Sequence, residues 1–176
     1  MKKTILPLLS LLLLAGCGPQ ETASAPAPVE LPPALVRVFE GKIDPDGLSS
    51  IPELREKAQP GEEVSFHAKV MGTLHPFVEG RALVVVGDAD TMLSCDLLGE
   101  EDHCETPWDL CCEPGESLRK GTATVQVMDE NGKILSAGLR GIHGLKELSQ
   151  LRIRGTVAPN ATPEAFIIHA TAIEVL

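Results

Sequence analysis

Three separate stretches of this chain, residues 64–70, 122–127 and 151–157, alternate apolar and polar side chains with a period of two. Successive side chains of a strand point to opposite faces, so each stretch offers one face to a core and the other to water. A fourth stretch, Ala82-Leu83-Val84-Val85-Val86, is continuously apolar up to Gly87 and fits a more deeply buried strand. A fifth runs from Ala165 to Val175. Helical signals are fewer. Ser50-Ile51-Pro52-Glu53 has the form of a capping box with proline in the first turn. Ile51, Leu54 and Ala58 then share one helical face, and Gln59-Pro60-Gly61 ends the segment, which predicts a helix over 51–58. Ile142, Leu145 and Leu148 recur every third residue and predict a second short helix over 142–149. Asn131-Gly132 marks a tight turn from which Ile134-Leu135 returns as a hairpin arm.

Three strands, a short helix and two more strands make the order of the OB-fold, a five-stranded Greek-key barrel. The block from Leu145 to Val175, where a helix leads into Leu-Arg-Ile-Arg-Gly-Thr-Val, a turn and a last strand, resembles the end of many OB domains. Gly61-Glu62-Glu63-Val64, entering the first strand, fits the same family. The resemblance covers residues 61–176 apart from a cysteine-rich insertion at 88–121. It implies a mainly β fold, an OB-fold-like barrel with short helices in which the first strand pairs with the fourth.

The N-terminus reads differently. Met1-Lys2-Lys3 is a short positive region, and residues 5–14 are apolar except at Pro7 and Ser10. This is too short to cross a bilayer as a helix, which takes about 20 residues, and suits the apolar region of a secretory signal. Leu14-Ala15-Gly16-Cys17 follows and resembles the bacterial lipobox. That resemblance implies a signal peptide over 1–16 and acylation of Cys17, which would hold the mature chain on a membrane. With Gly18 in place of an acidic residue, it implies the periplasmic face of the outer membrane where the cell has one. Residues 17–38, with Ala25-Pro26-Ala27-Pro28 and Pro32-Pro33, read as the acylated N-terminus and a semi-extended tether. Residues 39–60 read as a short helical lead-in.

The insertion at 88–121 has no clear strand or helix pattern, and loops of that length in compact domains tend to be functional or specially braced. It holds Cys95, Cys104, Cys111 and Cys112, every cysteine except Cys17, together with Asp102, His103, Trp108 and Asp109. The block Thr106-Pro107-Trp108-Asp109-Leu110-Cys111-Cys112-Glu113 resembles a motif of uncharacterised bacterial lipoproteins, a likeness that carries no function. In an oxidising compartment, four cysteines beyond the anchor point to two disulfides. Adjacent Cα atoms are about 3.8 Å apart, below the usual disulfide range of roughly 4.4–6.8 Å, so a Cys111–Cys112 bond would be strained. Cys95 and Cys104 are therefore expected to bond separately to Cys111 and Cys112, in either pairing, with no cofactor. The competing uses are a soft metal site for Zn²⁺ or Cu⁺ with His103 near, and a redox role through a labile Cys111–Cys112 bond. No Cys-x₂-Cys pair supports a familiar metal site.

Charge narrows the partners. The chain carries a formal −10, and loss of Lys2 and Lys3 with the signal would make it −12. Such a surface repels nucleic acid and anionic lipid unless bases cluster. One cluster is expected. If the first and fourth strands pair, His67 and Lys69 lie beside Arg152 and Arg154, with His169 near, as a patch for an anionic glycan or lipid headgroup. The plainer reading is a solvated face paired to neighbouring acids. With no tyrosine, one tryptophan and four phenylalanines, the stacking platform of single-strand binding is missing, so nucleic acid is disfavoured. Gly-x-Ser-x-Gly, His-Glu-x-x-His, phosphate-loop and Rossmann patterns do not occur. The chain thus reads as a membrane-tethered, non-enzymatic binding or structural module, its partner an envelope protein, glycan or lipid headgroup. The alternative is a metal-binding or thiol-redox envelope protein built on the insertion.

Overall fold

Five strands, β1 (Glu63–Lys69), β2 (Leu83–Asp88), β3 (Thr122–Gln126), β4 (Gln150–Val157) and β5 (Ile167–Val175), close into a barrel in the order β1-β2-β3-β5-β4. The computed structural model describes residues 30–98 and 104–176. Cys17 and the lipobox, with Asp102 and His103, lie outside the described residues. All neighbouring strands are antiparallel except β3 and β5, which are parallel. This is the OB-like Greek-key barrel expected, and β1 pairs with β4 along its length, from Glu63↔Thr156 to Lys69↔Gln150.

The alternation in sequence becomes the two faces of the barrel wall. Along β4, Leu151, Ile153 and Val157 are buried while Arg152, Arg154 and Thr156 are half-buried on the outside. Along β1, Val64, Phe66 and Ala68 point inward, and Ile168 and Ile173 of β5 complete the same core. Each large apolar side chain so buried contributes about 1.5–3 kcal/mol. Gly155 sits at a register shift between β4 and β5.

Among the described residues three helices accompany the barrel: α1 (Pro33–Glu40), α2 (Ile51–Lys57) and α3 (Gly115–Gly121). α2 starts as the capping box predicts, with the Ser50 hydroxyl accepting from the Glu53 amide at 3.3 Å. α1 begins inside the stretch read as tether. Pro33 is tolerated there because the first helical turn has no use for its missing N–H. Leu35 and Val38, one turn apart, are buried in the barrel core, and α1 packs along β5. The helix expected over 142–149 is absent. Only one 3₁₀ turn, Ile142–Gly144, forms, because Gly141, His143 and Gly144 all take positive φ, which no α-helix accommodates. Ile142 and Leu145 are buried all the same, so the spacing of three came from a turn that plugs the core. Among the described residues no helix is long and apolar enough to cross a membrane.

The insertion between β2 and β3 has a small core of its own. Met71, Met92 and Leu110 are buried together, with Trp108 and Leu118 of α3 packed against them. Methionine suits this irregular gap because its unbranched side chain adapts to whatever shape is left. Gly87 and Gly121 let the two methionines in, since a Cβ on Gly87 would lie 2.8 Å from Met71 and one on Gly121 would overlap Met92.

Candidate thiol site in the insertion

A satellite core pins the insertion to the barrel, and hydrogen bonds fix its path. The Gly72 amide donates to the Trp108 carbonyl at 2.8 Å, and the Trp108 indole N–H donates to the Leu74 carbonyl at 3.1 Å. Trp108 is thus tied to the β1–β2 connection by main chain and side chain. The Cys95 amide donates to the Pro107 carbonyl at 3.0 Å, which joins the two arms of the insertion. At its start, Asp88 is fully buried and accepts from the Ile51 amide at 2.6 Å, the Thr91 amide at 2.8 Å and the Thr91 hydroxyl at 2.7 Å.

Next comes a tight turn. The Asp109 amide donates to the Thr106 carbonyl, and the Thr106 hydroxyl donates to Asp109 Oδ2 at 2.8 Å. Asp109 Oδ1 accepts the Cys111 amide at 2.9 Å. Between them Leu110 takes φ 57° and is buried. A left-handed leucine costs roughly 1–2 kcal/mol, and burial of its side chain in the methionine pocket offsets that. The consequence is directional. Leu110 turns inward, and Cys111 and Cys112 turn out to solvent.

This turn gathers donor atoms. Cys104 Sγ, a carboxylate oxygen of Asp109 and Cys111 Sγ all lie within 4.8 Å of one another, and Cys112 Sγ is 3.9 Å from Cys111 Sγ. Both Asp109 oxygens are already oriented by donors, the kind of outer-shell support that holds a metal-ligating carboxylate in place. Burial works to raise the Asp109 carboxyl, yet the Thr106 hydroxyl and Cys111 amide hold it below the usual carboxylate range. The Cys111 thiol is pushed up to about 12 by its hydrogen bond with Cys112 and by the charge of Asp109. Forming a thiolate next to that carboxylate is costly until a cation joins them.

The disulfides expected between Cys95 or Cys104 and Cys111 or Cys112 are not formed. Cys95 is buried on the 3₁₀ turn Cys95–Leu97, whereas the left-handed bend at Leu110 sends Cys111 and Cys112 to the surface. Adjacent Cys111 and Cys112 keep their sulfurs well beyond the roughly 2.0 Å of a bond. Asp109 is a donor whose one signal in the sequence is the Thr106-x-x-Asp109 turn.

The expected basic patch is largely spent. His67 does lie opposite Arg152 across β1 and β4, and His169 opposite Thr156 on β5. Lys69, however, is buried under the insertion, its Nζ donating to Ser94 Oγ at 2.6 Å and to both Asp96 oxygens at 3.1 Å. Arg152 pairs with Glu174 at 3.0 Å, and His67 Nδ1 lies 3.6 Å from Asp90. Arg154 has no ion pair among the described residues. Burial holds the His169 imidazole below its ordinary pKa. Acids thus engage Lys69 and Arg152 on this face, while Arg154 and His169 have no acidic partner among the described residues. No protein family, curated protein or solved structure matches the chain.

Proposed function

We propose that this chain is an envelope lipoprotein, tethered through Cys17, whose OB-like barrel is a rigid platform for a thiophilic metal-binding loop. The observation that carries the reading is the convergence of Cys104 Sγ, Cys111 Sγ and an Asp109 oxygen within 4.8 Å at the surface. Three donors converge, Cys104 Sγ, Cys111 Sγ and an Asp109 oxygen, and Cys112 Sγ lies beside them, 3.9 Å from Cys111 Sγ. The tether and the barrel supply location and rigidity, and the insertion supplies the chemistry. An anionic glycan or lipid headgroup on the β1–β4 face has less support, because Lys69 and Arg152 are engaged by acids.

Metal analysis of the exported chain, purified without chelator, tests the metal reading. About one equivalent of Zn²⁺ or Cu⁺ is expected, lost in Cys104→Ser and Cys111→Ser. A wild-type chain that takes up neither ion after full reduction would sink it. Cys17→Ser tests the tether, and a variant that still partitions with membranes would remove that part of the proposal.

A further inference from the structure

We infer that the thiol loop is a transfer site, which takes up a thiophilic d¹⁰ cation, Zn²⁺ or Cu⁺, and hands it to another thiol ligand, rather than a structural centre. This rests on the metal-binding reading above and extends it from what is bound to what is done with it. Three independent features carry it.

First, the donors are local. Cys104, Asp109 and Cys111 belong to one short run of chain, so an ion there closes a small loop and joins no two elements of the barrel. Structural zinc sites stabilise folds because the unfolded chain lacks a preformed site. With donors this close in sequence, the unfolded chain retains much of the affinity, and binding to both states reduces the stabilisation.

Second, the scaffold stands on other contacts. Met71, Met92 and Leu110 form its core, and the Gly72–Trp108, Trp108–Leu74 and Cys95–Pro107 hydrogen bonds fix its path. None of these uses the Cys104, Cys111 or Cys112 sulfur.

Third, the exit is open. Cys111 and Cys112 are exposed, so an incoming thiol has a clear approach. Cys112 stands 3.9 Å from Cys111, close enough to take one coordination position as another is given up. The Asp109 oxygen is the ligand to leave first, being hard where the cation is soft. In the handover each incoming thiol releases one proton as its sulfur binds, and each departing thiolate of Cys104 or Cys111 takes one up. Charge and protons balance, and no electron moves.

The experiment uses the exported chain loaded with one equivalent of Zn²⁺ or, anaerobically, Cu⁺, with dithiothreitol as acceptor. Removing the metal should shift the melting temperature by less than about 3 °C. The transfer rate should rise in proportion to dithiothreitol concentration. Cys112→Ser should slow transfer at least fivefold more than it weakens binding. A melting shift above about 10 °C would overturn the inference, as would a transfer rate indifferent to acceptor concentration or a Cys112→Ser variant slowed no more than its affinity explains. A wild-type chain that binds neither ion defeats the metal-binding reading itself. A chain that binds tightly and fails the kinetic arms defeats only the transfer role.

Discussion

Cys111 and Cys112, neighbours in the chain, hold their sulfurs 3.9 Å apart, both exposed and neither in a disulfide. Exposure alone would make such thiols quick to alkylate. Reactivity follows the thiolate, however, and the hydrogen bond to Cys112 together with the Asp109 charge pushes the Cys111 thiol up to about 12. In the metal-free chain at pH 8, Cys111 should react with iodoacetamide at least tenfold more slowly than a free thiol of ordinary pKa near 8.5. Its rate should climb with pH well beyond pH 9. Peptide mapping after timed alkylation measures both. Asp109→Asn removes one of the causes and should speed the reaction; equal rates in the two proteins would contradict the assigned cause.

The Lys69–Asp96 pair fastens the insertion to the barrel. Lys69 is buried, and Asp96 and Ser94 together receive its ammonium. Removing one partner of a buried pair leaves an uncompensated charge at a cost of about 3–5 kcal/mol, and the partial exposure of Asp96 reduces this to about 2–3. Asp96→Ala should therefore destabilise more than the double variant Lys69→Met/Asp96→Leu, in which no charge is stranded. Urea denaturation of the three proteins decides it. Acid acts in the same direction. Burial works to raise the Asp96 carboxyl, but hydrogen bonds from Ser94 and Lys69 and the Lys69 charge hold it below its ordinary value. A depressed folded pKa means stability that is complete above the unfolded value, near 3.9, and lost as pH falls through the lower one. The loss should be missing in the double variant.

β1 and β4 were legible because each is a half-buried wall, and Phe66 or Ile153 flanked by polar residues can mean little else. Lys69 falls on the polar beat of β1 and reads as solvated; its burial depends on the insertion folding back over it, which no local pattern records. Ile142, Leu145 and Leu148 showed a real spacing, but the glycines at 141 and 144 decide its geometry. α1 was hidden by the prolines before it, although Leu35 and Val38 carry a helical spacing. The thiol site was visible as a set of residues and invisible as a geometry. It hangs on a left-handed Leu110, a conformation that leucine rarely adopts and whose stability comes from a pocket built by Met71 and Met92.

Gly155 is walled in by the backbone and side chains of β5. A Cβ there would strike the His169 carbonyl oxygen and come within 2.7 Å of Ile168 Cγ2 and 3.0 Å of Ala170 Cα. The obstacles are mostly strand backbone, which cannot swing aside as a long side chain would. Gly155→Ala should cost about 2–3 kcal/mol, at the upper end for overpacking a core. Thermal denaturation reads it. The same change at Gly115, where a Cβ meets nothing within 4 Å, should leave stability within about 0.5 kcal/mol.

Asp88 is the buried junction of three parts of the molecule. It ends β2, its Oδ2 accepts the first amide of α2 at Ile51, and its Oδ1 receives the Asp90 and Thr91 amides and the Thr91 hydroxyl, which start the insertion. A carboxylate at the beginning of a helix is favoured by the unpaired amides there, and α2 needs the help, being only seven residues long. Asp88→Ala leaves the buried Ile51 amide and the part-buried Asp90 and Thr91 donors without their acceptor, at about 1–3 kcal/mol. Asp88→Asn should cost less, since its oxygen can serve one side of the junction while its NH₂ faces donors on the other. Hydrogen exchange separates this from a general loss of stability. Amides 51–54 and 91–92 should exchange faster in Asp88→Asn by a larger factor than those of β4, whose partners in β1 and β5 are untouched. Uniform acceleration across both sets would mean that Asp88 acts only on global stability and does not join the helix to the insertion.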